Sequence, residues 1–235
     1  MSWLPGRAEG ASEFERVFRL RENLYEAWAE FAGLLWARRL APPVILQLVQ
    51  LRVRQLHGAQ LGAQRMSEAV EEGWDETRVA ELGEWWKSAR FSETERACLR
   101  LAEQFVLDAN GIGEAEIAPV RTALGDAAVV ALVEALAIFD GFTRFQKMLG
   151  IADAQAPSPP SRRREPRVVT RPSLRIAPPK PLGTDAISGS ALAHQPEALA
   201  AFLKLYGTLW SRGLLDHAVK EMARIRSART VDCGY

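Results

Sequence analysis

The segment Asp232-Cys233-Gly234-Tyr235 reads as half of a Cys-x-x-Cys redox motif. Two thiols at that spacing, at a helix N-terminus, cycle between dithiol and disulfide. The helix end lowers the pKa of the first thiol, so that it attacks as a thiolate. The other cysteine, Cys98, falls where an apolar helix face buries a small residue, and core packing is its expected role. A lone cysteine in a tail can also be an inert, frayed thiol. For Cys233 an internal repeat weighs against that reading.

Residues 22–61, moved forward by 174 positions, lie on residues 196–235 without a gap. Ala27, Gly33, Leu35, Trp36, Arg38, Leu40 and Arg52 meet Ala201, Gly207, Leu209, Trp210, Arg212, Leu214 and Arg226, and both copies carry Trp-x-Arg-x-Leu. Seven identities in forty ungapped pairs point to a duplication. In this register Cys233 lies on Ala59, Glu221 lies on Gln47, and the position after Tyr235 lies on Gly62.

Lys220-Glu221-Met222-Ala223-Arg224-Ile225 leading into Asp232-Cys233-Gly234-Tyr235 resembles the AhpD-like alkylhydroperoxidase and carboxymuconolactone decarboxylase superfamily. In that family a helix carrying Glu-Leu-x-x-Leu-like sequence leads into Asn-Gly-Cys-x-Tyr-Cys and then a histidine. The first copy follows the same plan, from Leu46-Gln47-Leu48-Val49 to Gln55-Leu56-His57-Gly58-Ala59, and continues through Phe91-Ser92-Glu93-Thr94-Glu95 and Phe139-Asp140-Gly141-Phe142-Thr143-Arg144-Phe145. The resemblance covers most of residues 15–150 and 192–235. It implies that Cys233 is a redox thiol and that Glu221 belongs to a proton relay; a plain solvated helix residue is the alternative for Glu221.

It also implies a hydroperoxide substrate, a thiol reductant and a homo-oligomer, with no cofactor or metal. The first copy departs from the family pattern. Ala59 and Gly62 hold its thiol positions, Gln47 its acid position, and Met66 (or Arg65) its histidine position. None of these is a nucleophile or titrates near neutral pH, so the first copy is expected to be catalytically dead by this mechanism. The alternatives are a non-catalytic structural or oligomerisation module and a decarboxylase-type lyase. One further expectation concerns the codon after Tyr235. A UGA there, encoding selenocysteine, would complete Cys-Gly-Tyr-selenocysteine; a frameshift, a nonsense mutation and a clipped chain are the alternatives.

The remaining chemistry-bearing residues read as structural. His57 precedes Gly58 at a helix end and reads as a turn residue. With no cysteine or carboxylate at ligand spacing, a metal site is not expected. Glu134 sits alone in an apolar helix, where an unpaired carboxylate is costly, so a contact to Arg144 or to a neighbouring subunit is expected. Arg162-Arg163-Arg164 has no interleaved aromatics and reads as a solubilising run rather than a nucleic-acid or lipid contact. Gly111-Ile112-Gly113 has no preceding strand and is not a phosphate loop.

These residues need helices to position them. Phe14, Val17, Phe18, Leu24, Trp28, Phe31 and Leu35 form one helical stripe from Glu13 to Arg39. Pro42-Pro43 ends it, and Leu46, Val49, Val53 and Leu56 continue at spacings of three and four. Gly73 reads as a C-cap and Asp75 as an N-cap. Ser92 and Glu95 make a capping box, with Phe91 as its staple. Asp126 opens a helix that is apolar almost all round through Phe139, the pattern of a helix buried on several sides.

Residues 153–191 hold eight of the thirteen prolines and read as a linker; Arg167–Thr170 is the one strand-like stretch. Helical pattern resumes at Pro196. The fold class is all-α: an AhpD-like bundle over residues 12–152, a Pro/Arg-rich linker over 153–191, and the opening helices of a second unit over 192–235. The tail is expected to dock its apolar face, carried in part by Leu199, Phe202, Leu205, Leu209 and Leu214, on the first domain or on another subunit, with Trp210 taking the surroundings of Trp36.

The chain has 235 residues, 48% hydrophobic and 25% charged, with a formal net charge of +1. That balance favours neither nucleic acid nor a membrane surface. Charge is uneven: residues 1–152 carry a net of −5, residues 153–191 a net of +4, and the remainder +2. There is no stretch of roughly 18 apolar residues, no signal-peptide plan at the start, and no disulfide framework in two cysteines. Cytoplasm is the expected location.

Overall fold

The computed structural model describes residues 2–6, 12–62, 65–151, 176, 191–231 and 233. These form an all-α protein, with no strand among them. The linker, with its strand-like stretch and its arginine run, lies outside the described residues apart from Ile176 and Ala191. The α-helices are α1 (Glu13–Phe18), α2 (Glu22–Ala37), α3 (Pro43–Leu56), α4 (Ser67–Glu71), α5 (Glu93–Asp108), α6 (Glu114–Leu124), α7 (Asp126–Met148), α8 (Pro196–Ser211) and α9 (His217–Thr230). A 3-10 helix spans Glu76–Glu84.

Local sequence accounts for several helix ends. Pro43 is the first residue of α3, where its missing N–H costs nothing. Asp75 accepts from the Thr77 amide at 2.9 Å. Ser92 accepts from the Glu95 amide at 3.3 Å while the Ser92 amide donates to Glu95 Oε2 at 2.8 Å, so the capping box is complete. Gly73, at φ 91°, follows α4 in the left-handed region that glycine adopts freely.

The single stripe expected from Glu13 to Arg39 is broken. Arg19–Arg21 form a 3-10 turn, and Arg21 leaves helical geometry at φ −123°, ψ 74°. The reason is aromatic packing. The Phe14 ring lies 5.0 Å from that of Trp28, whereas fourteen residues of straight helix would separate them by about 21 Å. Folding back lets Phe14, Phe18 and Trp28 close on Phe142 of α7.

Helix α3 is the centre of the bundle. Ile45, Leu46, Leu48, Val49, Leu51 and Val53 are all buried, each contributing about 1.5–3 kcal/mol. One side meets α5 and α7 in the main core; the other meets Leu82, Trp85, Phe91 and Leu99 in a second cluster. A buried polar knot ties the three parts. Arg52 Nε donates to Glu103 Oε1 at 2.7 Å, and Trp85 Nε1 donates to the same oxygen at 2.7 Å.

The repeat appears in the helix bounds. Helices α2 and α8 each have 16 residues and α3 and α9 each have 14, and every bound is offset by 174. The entering residues match as well: Arg21 at φ −123°, ψ 74° and Gln195 at φ −128°, ψ 72°.

Helix α8 docks on α2, its counterpart. Ala198, Ala201 and Thr208 are buried there, and the Phe202 ring packs edge-on against Phe31 at 5.9 Å. The small residues allow close approach, while Leu209 and Leu214 remain exposed.

Trp210 does not take the surroundings of Trp36. Trp36 is buried beside Phe139 of α7. Trp210 is half-buried, stacked on His217 and under Lys220 Nζ. The helix that covers α2 and α3 in the first copy has no equivalent over α8 and α9 among the described residues. Accordingly Val219, Met222 and Ile225 of α9 are exposed, whereas their α3 counterparts Ile45, Leu48 and Leu51 are core.

Candidate functional site

Two regions carry the residues that the repeat sets in register. In the first copy, Gln47 projects from α3 into the core and is 1% exposed. Its Oε1 accepts the Met66 amide at 2.9 Å and its Nε2 donates to Gln50 Oε1 at 2.9 Å. The positions that the family resemblance assigns to acid and histidine are therefore in direct contact here, as an amide clip that anchors the segment after α3. Ala59 closes that helix, its amide donating to Arg54 O at 2.9 Å. Gly62 sits at φ 61° and its carbonyl accepts Arg65 Nη1 at 2.9 Å.

Beside this clip is a cavity of about 340 Å³ whose wall includes Trp28, Trp36, Gln50, Arg54, Met66 and Phe142. Trp28 Nε1 is buried with no hydrogen-bond partner among the described residues. The site has volume, the unpartnered Trp28 donor and one hydroxyl, Thr143, but among the described residues its wall holds no thiol and no carboxylate.

His57 does more than end a helix. Its Nε2 lies 2.5 Å from Asp140 Oδ1, joining the end of α3 to α7, and Lys147 donates to the His57 carbonyl. Arg144 Nε adds a 2.9 Å contact to Asp140. Burial pushes the Asp140 carboxyl up, but the hydrogen bonds from His57 and Arg144, with their charges, outweigh it and hold the group below the usual range.

Arg144 is thereby committed to Asp140, and the expected contact from Glu134 to Arg144 is not made. Helix geometry explains the correction: Asp140 is one turn from Arg144, whereas Glu134 is ten residues away, off that face. Glu134 is 9% exposed, and neither carboxyl oxygen has a partner among the described residues.

In the second copy, the Cys233 amide donates to Ala228 O at 2.9 Å, the bond that Ala59 makes to Arg54. Cys233 is exposed. It follows the C-terminal end of α9, so the N-terminal activation that a Cys-x-x-Cys pair uses is not supplied by this helix. Glu221 is on the same helix, half-buried, and accepts from Arg224 Nε at 2.9 Å. That hydrogen bond holds the Glu221 carboxyl below its usual range.

Arg224 is raised in turn, first by the hydrogen bond and charge of Glu221 and least by Tyr206 and Cys233. Its hydrogen-bonded partner is Glu221. A Glu-x-x-Arg spacing on one helix face is its sequence signal. Cys98 is fully buried, and burial, with the Glu95 charge, pushes its thiol up to about 12.

Among the described residues no cluster of His, Cys, Asp and Glu could hold a metal ion, and no helix is long and apolar enough to cross a membrane. No family model matches the chain, and no curated protein matches it.

Proposed function

We propose that this chain is an AhpD-like tandem protein in which a non-catalytic first unit holds a second unit carrying the redox thiol Cys233. The observation that supports this reading is the equivalence of the two helix pairs. Their bounds, entering dihedrals and terminal hydrogen bonds agree at the 174-residue offset, and the one accessible cysteine falls at the thiol position.

The chemistry is thiol oxidation. The Cys233 thiolate attacks the terminal oxygen of a hydroperoxide; the S–O bond forms as the O–O bond breaks, leaving a sulfenate and an alcohol. An external thiol then condenses with the sulfenic acid, releasing water and leaving a mixed disulfide. A second equivalent of thiol restores Cys233 and leaves as the oxidised reductant. Cys98 is enclosed in the first unit and cannot act as resolving thiol. One oxidation per chain, stopping at sulfenate or an intermolecular disulfide, is the expected extent without added thiol.

A second reading, a purely structural or oligomerisation module, is favoured by the Gln47–Met66 clip, which turns the equivalent site of the first copy into a packing contact. Cumene hydroperoxide followed by dimedone separates the two. A single adduct on Cys233, absent from Cys233→Ser, supports the redox reading. Peroxide turnover that survives Cys233→Ser would sink it, and Cys233 reactivity no greater than that of a free peptide thiol leaves the module.

A further inference from the structure

Helices α5 and α6 and the turn at Trp85 and Trp86 form a groove of about 640 Å³, a size that suits a small molecule. Small residues keep it open: Ala97 of α5, and Ala118 and Ala123 of α6. Arg96 and Arg100 stand one turn apart on α5 and both line it, with Thr94 on the same helix and Thr122 on α6. Trp86 completes the wall and is 49% exposed.

The positive charge of this groove is fixed but not cancelled. Arg96 donates through Nε to the Phe91 carbonyl and through Nη1 and Nη2 to those of Trp86 and Ser88, at 2.9, 2.9 and 2.5 Å. Neutral acceptors hold the guanidinium in place without neutralising it, and they use three of its five N–H donors. Glu93 is 3.8 Å from Arg96, but its side chain is 97% exposed, and so wet a pair cancels little charge. Arg100 is exposed and makes no hydrogen bond or ion pair among the described residues.

Next to these cations is a rigid apolar surface. The Trp86 ring stands at 89° to that of Trp85, with centroids 5.9 Å apart, and Trp85 is itself anchored through Nε1 to Glu103. Guanidinium groups match phosphate oxygens in pairs, and threonine hydroxyls add single donors. An exposed indole offers its face to a second ring.

We infer that this groove binds an aromatic phosphate monoester, its phosphate on Arg100 and the remaining donors of Arg96, its ring against Trp86. The inference does not depend on Cys233 or on the redox reading. Glu93 is the one carboxylate in the wall among the described residues, and it opposes the ligand.

The test is calorimetric titration of the full chain, at low salt, with phenyl phosphate, phenol and inorganic phosphate. Phenyl phosphate should bind about tenfold more tightly than either fragment, and Arg100→Gln should weaken it about tenfold. Trp86→Ala should remove its advantage over inorganic phosphate, and Glu93→Gln should tighten it. Arg38→Gln, which removes an exposed charge at the end of α2, should change nothing. All four positions are exposed, so each variant should fold, as circular dichroism can verify. AMP and O-phosphotyrosine, titrated alongside, distinguish a nucleotide from a phosphorylated side chain as the source, and binding of neither would overturn the site. So would phenyl phosphate that binds no better than its fragments, or affinity that survives Arg100→Gln or falls equally with Arg38→Gln.

Discussion

Lys204 Nζ of α8 pairs with Glu30 Oε2 of α2, and the two residues are 174 positions apart, so equivalent positions of the repeat meet each other. The contacts on either side of the pair set the two helices antiparallel. Arg38, at the end of α2, reaches Glu197 at the start of α8 at 3.0 Å, and Arg21, just before α2, reaches the carbonyl of Arg212, just after α8. With equivalent positions meeting at Glu30 and Lys204, the arrangement approximates a local axis of an isologous interface within one chain. It is not strictly reciprocal, because the counterpart of Glu197 is Asn23, whereas Arg21 meets Arg212.

The first prediction concerns that interface. Lys204→Glu places two carboxylates at the local axis and should lower stability by about 0.2–1 kcal/mol, since both groups are exposed. Adding Glu30→Lys should restore most of the loss. Ala201→Leu should cost more, about 1–3 kcal/mol, because Ala201 is buried at the contact. Chymotrypsin cleavage within α8, which carries Phe202, Tyr206 and Trp210, should accelerate in the same order. Equal cleavage of all variants would show that α8 is not held on α2.

Thiol accessibility gives the second. A native chain should react at once with one equivalent of an aromatic disulfide reagent, at Cys233, and with two after unfolding in urea. Cys98 is protected by full burial and by a thiol pushed up to about 12. Two fast thiols in the native state would contradict the core position of Cys98.

The third tests the amide clip. Gln47→Leu leaves the Met66 amide without its acceptor inside the protein, at a cost of about 1–3 kcal/mol. Urea denaturation should show the lower midpoint, with α-helical content unchanged by circular dichroism. A neutral outcome would mean that the segment after α3 is held by other contacts.

Stability against pH is the fourth. The folded pKa of Glu134 is raised from an ordinary 4.5 to about 7, so the native state binds the proton more tightly than the unfolded chain. Its contribution is fully present below pH 4.5 and is lost as pH rises through 7, on the order of 3 kcal/mol in all. Asp140 acts oppositely but only at acid pH, because its folded pKa is depressed. Between pH 5 and pH 8 the wild type should therefore lose stability that Glu134→Gln retains. Parallel pH profiles for the two proteins would contradict the burial of an unpaired carboxyl.

Much of the fold was legible locally. The Ser92–Glu95 box, the Asp75 cap, the Pro42-Pro43 break and the start of α7 at Asp126 each depend on a few adjacent residues, and each is where the pattern placed it. The turn at Arg19–Arg21 was not legible, because its residues continue the stripe. Only the demand that Phe14 reach Trp28 and Phe142 bends the chain there. Arg224 was not singled out in the sequence, although the Glu-x-x-Arg spacing on one helix carries its pairing with Glu221, whereas the link from His57 to Asp140 spans 83 residues and left no local trace.

The sequence by itself determined the all-α class, several helix ends and the 174-residue offset, because periodicity, capping and proline act over one or two turns. It also placed Cys233 on Ala59 and Glu221 on Gln47. Tertiary structure alone decided that α8 lies on its own counterpart through Ala198 and Ala201, that Trp210 remains half-buried while Trp36 is core, and that Arg144 serves Asp140 and leaves Glu134 buried with no partner among the described residues. Those outcomes depend on which distant faces exclude water together, and that balance is struck over the whole chain rather than at any one residue.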